Sequence, residues 1–366
     1  MKYRYLLLLV LLLGVTTHAQ GQTLKTQNVI LIMTDGLRWQ EVFGGADAQM
    51  MNKEHGNITD LASARKAYWR DTPEERREAL MPFFWSVFAK QGQVFGNGLK
   101  GSVAHVTNGK NFSYPGYSET LCGYPDPRIN SNNKIPNANV TVFEWLNTMP
   151  KYRGKVAAFG AWDVFPSIFN SARAGFVINA GYDPLILPKP NAKIDLLNRL
   201  KAESPRYWEG EPYDAYTFHT AIEYLKTYKP RLFFLSLGET DEWAHEGKYA
   251  PYLESAKRAD SYVQQIWELV QSIPQYRDKT TLIFMPDHGR GDAPDAWRNH
   301  SAVTTGSDKI WMAFLGPDTP ALGERTNIPT VTQSQIAATI AKLLNEDYTT
   351  AVPKAGKPIA EVLSKH

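Results

Sequence analysis

Asn28-Val29-Ile30-Leu31-Ile32-Met33-Thr34-Asp35-Gly36 is the stretch whose reading decides the fold. From Val29 to Met33 there is no polar alternation, so the segment reads as a strand covered on both faces, and the Asp-Gly after it as the turn that leaves it. The same pattern recurs at 156–159, at LFFLSL (232–237), at TLIFM (281–285) and at 311–315. Helical patterns lie between these runs. Residues 75–90 are rich in helix formers, and Tyr252, Ala256, Ala259, Val263, Ile266 and Val270 fall three or four apart. After a cap at Thr332, a stripe of Ile336, Ala337, Ile340 and Leu343 follows. Strands alternating with helices predict an α/β fold: a mostly parallel central sheet, helices on both faces and no large cap domain. Residues 182–213, rich in Pro, Lys and Asn, read as a surface excursion.

Composition narrows the class. The chain has 366 residues, of which 43% are hydrophobic and 21% charged, and ten Trp with eighteen Tyr exclude a disordered chain. A formal net charge of +3 gives no basis for nucleic-acid binding or for a polybasic membrane anchor. The single Cys122 excludes an intramolecular disulfide framework. At the start, Lys2 and Arg4 precede an apolar run at 5–15 and then Thr17 and Ala19. This is the pattern of a secretory signal peptide, and the run is too short to span a membrane. The expected organisation is a signal peptide at 1–19 and one catalytic domain at 20–366. A periplasmic or secreted protein with no membrane span after cleavage is the corresponding expectation.

In an open α/β sheet, ligands gather at the carboxyl ends of the strands, so the residues that follow each run carry the chemistry. Asp35 follows the first run. LFFLSLGET leads to Asp241, with His245 four residues on; TLIFMP leads to Asp287 and His288, and His300 lies twelve residues further. Three strands thus bring carboxylates and imidazoles to one edge, and six O/N ligands suit divalent ions such as Zn²⁺ or Mn²⁺. Singly, each element also has an ordinary structural reading as a turn or a solvated loop. Their joint occurrence at three strand ends is what points to a metal centre.

These stretches, VILIMTDGLR, FSYPGYSETLCGYP (112–125), LGETDEWAHEGKY (237–249), IFMPDHGRGD (283–292) and WRNHS (297–301), resemble the alkaline phosphatase superfamily. The nearest likeness is to its type I phosphodiesterase/nucleotide pyrophosphatase branch. The resemblance implies two divalent ions, Zn²⁺ or alternatively Mn²⁺, one on Asp35, Asp287 and His288, the other on Asp241, His245 and His300. It also implies a hydroxyl nucleophile at a helix N-terminus, which maps to Ser113, with Ser118 and Thr120 as alternatives. A helix N-terminus suits that role because its free N–H groups and positive potential face a phosphoryl oxygen. The family places an Asn downstream to hold that oxygen; Asn130, Asn132 and Asn133 are the candidates, with Asn133 preferred. Tyr124 and Asp126 stand where a formylglycine sulfatase motif beginning at Cys122 would need Pro and Arg, which disfavours that reading.

The implied activity is hydrolysis of a small-molecule phosphate ester, a diester by preference, through a phosphoserine. A phosphomonoesterase or phosphomutase is the alternative, and an inactive ligand-binding relative the remote one. The short interval from His288 to His300 resembles the phosphomutases. The diester preference rests on Trp162 and Phe165, which suit an apolar second substituent. It also takes Lys110, Arg128, Arg173 and Arg290 as solvated rather than phosphate-neutralising.

Overall fold

The first strand, β1 (Asn28–Thr34), lies in the middle of the principal sheet. After it come β2 (Gln93–Phe95), β3 (Ala104–His105), β4 (Val156–Gly160), β5 (Val177–Ala180), β6 (Leu232–Leu237), β7 (Thr280–Pro286), β8 (Met312–Leu315), β9 (Gly323–Glu324) and β10 (Val331–Thr332). This computed structural model describes residues 24–363, so the export signal read at 1–19 lies outside the described residues. Eight strands form one sheet in the order β5-β4-β6-β1-β7-β8-β2-β9, and β3 pairs with β10 separately. Within the large sheet only β8 runs against its neighbours.

The register explains the unbroken apolar runs. Val29 sits opposite Leu232 on one side and Thr281 on the other. Val29, Leu31 and Met33 enter one apolar layer, whereas Ile30 and Ile32 enter the layer on the other face. With both faces covered, alternation has no function, and every residue of β1 is buried. The mostly parallel sheet with helices on both faces is therefore the observed architecture.

Local differences have physical causes. The helix expected over 75–90 is interrupted. Pro73–Leu80 is helical, started by a capping box between Thr72 and Glu75, and Phe84–Phe88 is wound as a wider π-turn. The N–H groups of Phe83 and Phe84 donate instead to the buried carboxyl of Asp260, at 2.8 and 2.7 Å. The stripe over 252–270 lies in the helix Tyr249–Ser272. Strands β2, β5 and β9 are too short to carry a legible period. The segment 182–213 contains the helix Ala192–Glu203, capped by Asn191, and its return is partly buried. Among the described residues no helix is long and apolar enough to cross a membrane. Because β1, β6 and β7 are parallel, the segments leaving all three emerge at one sheet edge.

Candidate metal centre

Asp35 leaves β1 with its N–H bonded to Leu237 O at the end of β6 (2.9 Å), which fixes the two strand ends together. Gly36 turns in the left-handed region (φ 57°), and its N–H donates to Asp287 Oδ1 (3.1 Å). The same oxygen accepts the N–H of His288 (2.9 Å). Asp287 Oδ2 is thereby left buried and without a hydrogen-bond partner, 3.6 Å from His288 Nε2. His288 Nε2 lies 3.1 Å from Asp35 Oδ1 and 3.9 Å from Asp241 Oδ1. Asp241 and His245 occupy one face of the helix Glu239–His245, with His245 Nε2 at 3.0 Å from Asp241 Oδ2. His300 Nε2 completes the cluster at 3.0 Å from His245 Nε2 and 3.5 Å from Asp241 Oδ1.

The structure thus brings Asp35, Asp241, His245, Asp287, His288 and His300 to one place. Two trios of ligand atoms, Asp35/Asp287/His288 and Asp241/His288/His300, each fall within 4.8 Å of one another. His288 is shared between them, whereas the resemblance assigns it to a single ion. His245 stands beside the second trio.

The donor set fits divalent cations for a further reason. His288 Nδ1 meets Gly289 O (2.8 Å) and His300 Nδ1 meets Asn111 O (3.0 Å). A carbonyl can only accept, so both Nδ1 atoms carry the proton and both Nε2 lone pairs face the cluster. Burial lowers the His288 pKa to about 4 and holds His300 well below its ordinary value, which favours the neutral form of both rings. Burial pushes the carboxyls of Asp35 and Asp287 well up, and neighbouring carboxylates add to it.

Asp241 goes the other way: burial would raise it, but Arg290, His245 and His300 hold it well below the carboxylate range. Arg290 was expected to be solvated and is instead fully buried. Its guanidinium contacts Asp241 Oδ1 and is anchored on the carbonyls of Trp297 and Arg298.

Ser113 is the first residue of the buried helix Ser113–Cys122. Its Oγ lies 3.4 Å from His288 Nε2 and 3.5 Å from Asp35 Oδ1. The alternatives face elsewhere: Ser118 Oγ accepts from Asn137 Nδ2 (3.1 Å), and Thr120 Oγ1 donates to Gly116 O (3.0 Å). The helix start offers fewer donors than its position suggests. Pro115 has no N–H, and the N–H of Tyr114 donates to Asn132 Oδ1 (3.1 Å). That bond ties Asn132, not the preferred Asn133, to the residue after the nucleophile; Asn130, Asn132 and Asn133 are all exposed, and the backbone N–H of Asn133 reaches Ser131 Oγ. Tyr117, one turn after Ser113, gave no signal in the sequence. Its hydroxyl lies 3.2 Å from Asp35 Oδ2 and 2.8 Å from Ser236 Oγ, which turns Asp35 Oδ1 toward Ser113.

The chain has the alkaline phosphatase-like fold, and residues 209–347 match the Metalloenzyme superfamily. That match includes Asp241, His245, Asp287, His288 and His300. The chain is similar to the wild-type alkaline phosphatase PafA (TM-score 0.60, 10% identity), covering 94% of this chain and 100% of that one. It is similar to the lipoteichoic acid synthase LtaP from Listeria monocytogenes (TM-score 0.56, 12% identity, 88% and 72% covered). A third likeness is to Ps i-CgsB in complex with k-i-k-neocarrahexaose (TM-score 0.52, 18% identity, 91% and 75% covered). No curated protein matches the sequence. Together the fold and the donor set present two clusters of groups suited to divalent cations at one end of the sheet.

Packing corrects the reading of Phe165, while Arg128 and Arg173 are exposed side chains, as expected. Phe165 is core, with its ring 4.8 Å from that of Tyr117 and 5.3 Å from that of Phe234, so it lines no substrate pocket; Trp162 is half-buried. Arg173 is committed to Glu144 and to the carbonyl of Asn139, and Arg128 to Asp126. Cys122 is fully buried, and burial pushes its thiol up to about 12. Iodoacetamide at pH 8 should therefore leave the native protein unlabelled and label it fully in denaturant. Rapid labelling of the native protein would contradict this placement.

Proposed function

We propose that the chain is an exported hydrolase of small-molecule phosphate esters, acting through Ser113. The observation that carries this reading is Ser113 Oγ at the start of a buried helix, within 3.5 Å of both Asp35 and His288. Asp35, Asp287 and His288 would hold one divalent cation, and Asp241, His245 and His300 another, Zn²⁺ or Mn²⁺. When bound, the pair supplies Lewis-acid charge that favours the serine alkoxide and neutralises the phosphoryl oxygens.

The residues of the chain do the rest. Ser113 Oγ, its proton passed to solvent, attacks phosphorus; the P–O bond to one alcohol breaks, that alcohol takes a proton from water, and the phosphoryl group, with any second ester substituent, stays on the serine until water hydrolyses it. Tyr117 fixes Asp35 so that the serine has one orientation. Asn132, whose Oδ1 accepts from the N–H of Tyr114, keeps its amide Nδ2 as a donor, and we assign it to a phosphoryl oxygen in place of Asn133. Sharing of His288 between the two trios keeps the two halves of the centre in register.

The reading favours diesters over monoesters. A monoester carries about one more negative charge and needs a further cation at its non-bridging oxygens. Arg290 is committed to Asp241 and Arg128 to Asp126. Lys110 is the cation left in the nucleophile's own loop. The test is a panel of bis-p-nitrophenyl phosphate, p-nitrophenyl phosphate and p-nitrophenyl sulfate on protein loaded with Zn²⁺ or Mn²⁺. Higher kcat/KM for the diester is expected. A monoester preference of about tenfold or more, abolished by Lys110→Ala, would replace the diesterase with a phosphatase; sulfate turnover alone would replace both.

A further inference from the structure

Glu119 stands on the same helix as Ser113, is fully buried, and has no part in the reading above. Its carboxyl accepts from four donors, all on the loop that runs into the nucleophile. Thr107 Oγ1 donates to Oε1 at 2.6 Å, and Thr107 N–H lies 3.1 Å from both oxygens. Asn108 gives Oε2 its backbone N–H and its Nδ2, each at 3.0 Å. Held this way, Asn108 turns its Oδ1 along the loop, where it accepts from the N–H groups of Lys110 (2.8 Å) and Asn111 (3.0 Å). Both ends of the Asn108 amide are used, so the side chain has one orientation.

Asn111 is where this chain of contacts meets the metal centre. It is 7% exposed and sits in the left-handed region (φ 55°), which asparagine tolerates better than most residues. In that pose its carbonyl accepts from His300 Nδ1 (3.0 Å), and its Nδ2 donates to Ser301 O (3.4 Å). The path from Glu119 through Asn108 and Asn111 to His300 therefore consists of three hydrogen bonds, each 3.0 Å long. His288 lies off this path, because its own Nδ1 is held by Gly289 O. Taking a carboxyl fully out of water is costly, and an apolar side chain would fill the same space at less cost. What the carboxyl supplies, and an apolar group cannot, is the fixed placement of the loop. A group that orients the outer nitrogen of a ligating histidine governs metal affinity about 10–100-fold.

We infer that Glu119 is a positioning residue for the second cation: through Asn108 and the carbonyl of Asn111 it holds His300 with Nε2 facing Asp241 and His245. The inference rests on the two-cation reading above and adds what sets the affinity of one of the two sites.

Zn²⁺ titrated calorimetrically into the chelator-stripped full chain, in competition with a chelator, tests it. The parent should take up two equivalents, and His300→Ala identifies the one that His300 serves. Glu119→Gln keeps the shape, but whichever way its amide turns, an NH2 group meets the donors of Thr107 or of Asn108. It should weaken the His300 equivalent by about 10–100-fold and leave the other within about twofold, as for independent sites. Asn108→Ala, at a half-buried side chain, breaks the same path with less disturbance and should weaken the same equivalent; it decides the matter if Glu119→Gln does not fold. Asp260→Asn removes another buried carboxyl that accepts two backbone N–H groups, off this path, and should leave both equivalents unchanged. Unchanged affinities in Glu119→Gln and Asn108→Ala would overturn the inference and leave the two-cation reading standing. So would equal weakening of both equivalents, or the same weakening in Asp260→Asn, since either would mark a general loss of stability. A parent that takes up fewer than two equivalents would defeat the two-cation reading, and this inference with it.

Discussion

Ser113→Ala is expected to lower turnover by on the order of 10³–10⁶-fold and to leave metal content and fold unchanged. The covalent route needs Oγ, and neither alternative aliphatic hydroxyl on the helix Ser113–Cys122 can replace it: Ser118 is engaged by Asn137 and Thr120 by the backbone of Gly116. The electrostatic surroundings survive, because Asp35, Asp287 and His288 are held by backbone N–H groups, Gly289 O and Tyr117 rather than by Ser113. Ser113→Thr should keep substantial activity, since it retains the nucleophilic oxygen. Steady-state kinetics on protein of verified metal stoichiometry measures both. Loss of activity in Ser118→Ala or Thr120→Ala, with Ser113→Ala unaffected, would move the nucleophile.

Arg290→Met has the second largest expected effect, and it depends on metal. In the metal-free protein Arg290 is the buried cation that touches Asp241, in a cluster that also holds Asp35 and Asp287. Removing one member of a buried ion pair leaves the other uncompensated and costs about 3–5 kcal/mol. Divalent cations on the same carboxylates would supply the missing charge, so the loss should shrink in the loaded protein. Urea unfolding of chelator-treated and Zn²⁺-loaded samples, each with and without the substitution, gives the comparison. An equal loss in both states would reduce Arg290 to a backbone anchor for Trp297 and Arg298.

Most parts of the centre that are legible in the sequence share one property: they follow an apolar run. Asp35, Asp287 and His288 leave β1 and β7 directly, and Asp241 lies one helical turn past β6 with His245 one turn further, whereas His300 is read from its spacing to His288. Position on a strand end is a local property, and local properties can be read from a chain. The groups that escaped notice act through distant partners. Arg290 stands two residues from His288, yet what makes it matter is Asp241, and only folding brings them together. Asn132 and Asn133 are indistinguishable in composition; a single bond to Tyr114 N–H separates them. Glu211, 5% exposed, lies in a stretch whose Pro, Lys and Asn content reads as surface, because composition averages over a loop and cannot register one inward carboxyl. Phe165 erred in the opposite direction, since an aromatic after a strand suits a pocket or a core equally, and three other rings claim it.

The central place of β1 also bears on how the chain acquires its shape. Its two partners, β6 and β7, begin at Leu232 and Thr280, so the first strand to be synthesised is completed only by segments made some two hundred residues later. Until then NVILIMT is an apolar, strand-prone ribbon with both edges bare, the kind of segment that seeds aggregation. Pairing across so long a separation is slow, because loop closure must precede any gain from contact. Refolding from denaturant should accordingly be slow and fall in yield as protein concentration rises, and a binder of exposed strands should rescue it. For this chain, nascent β1 is the natural client of a holdase.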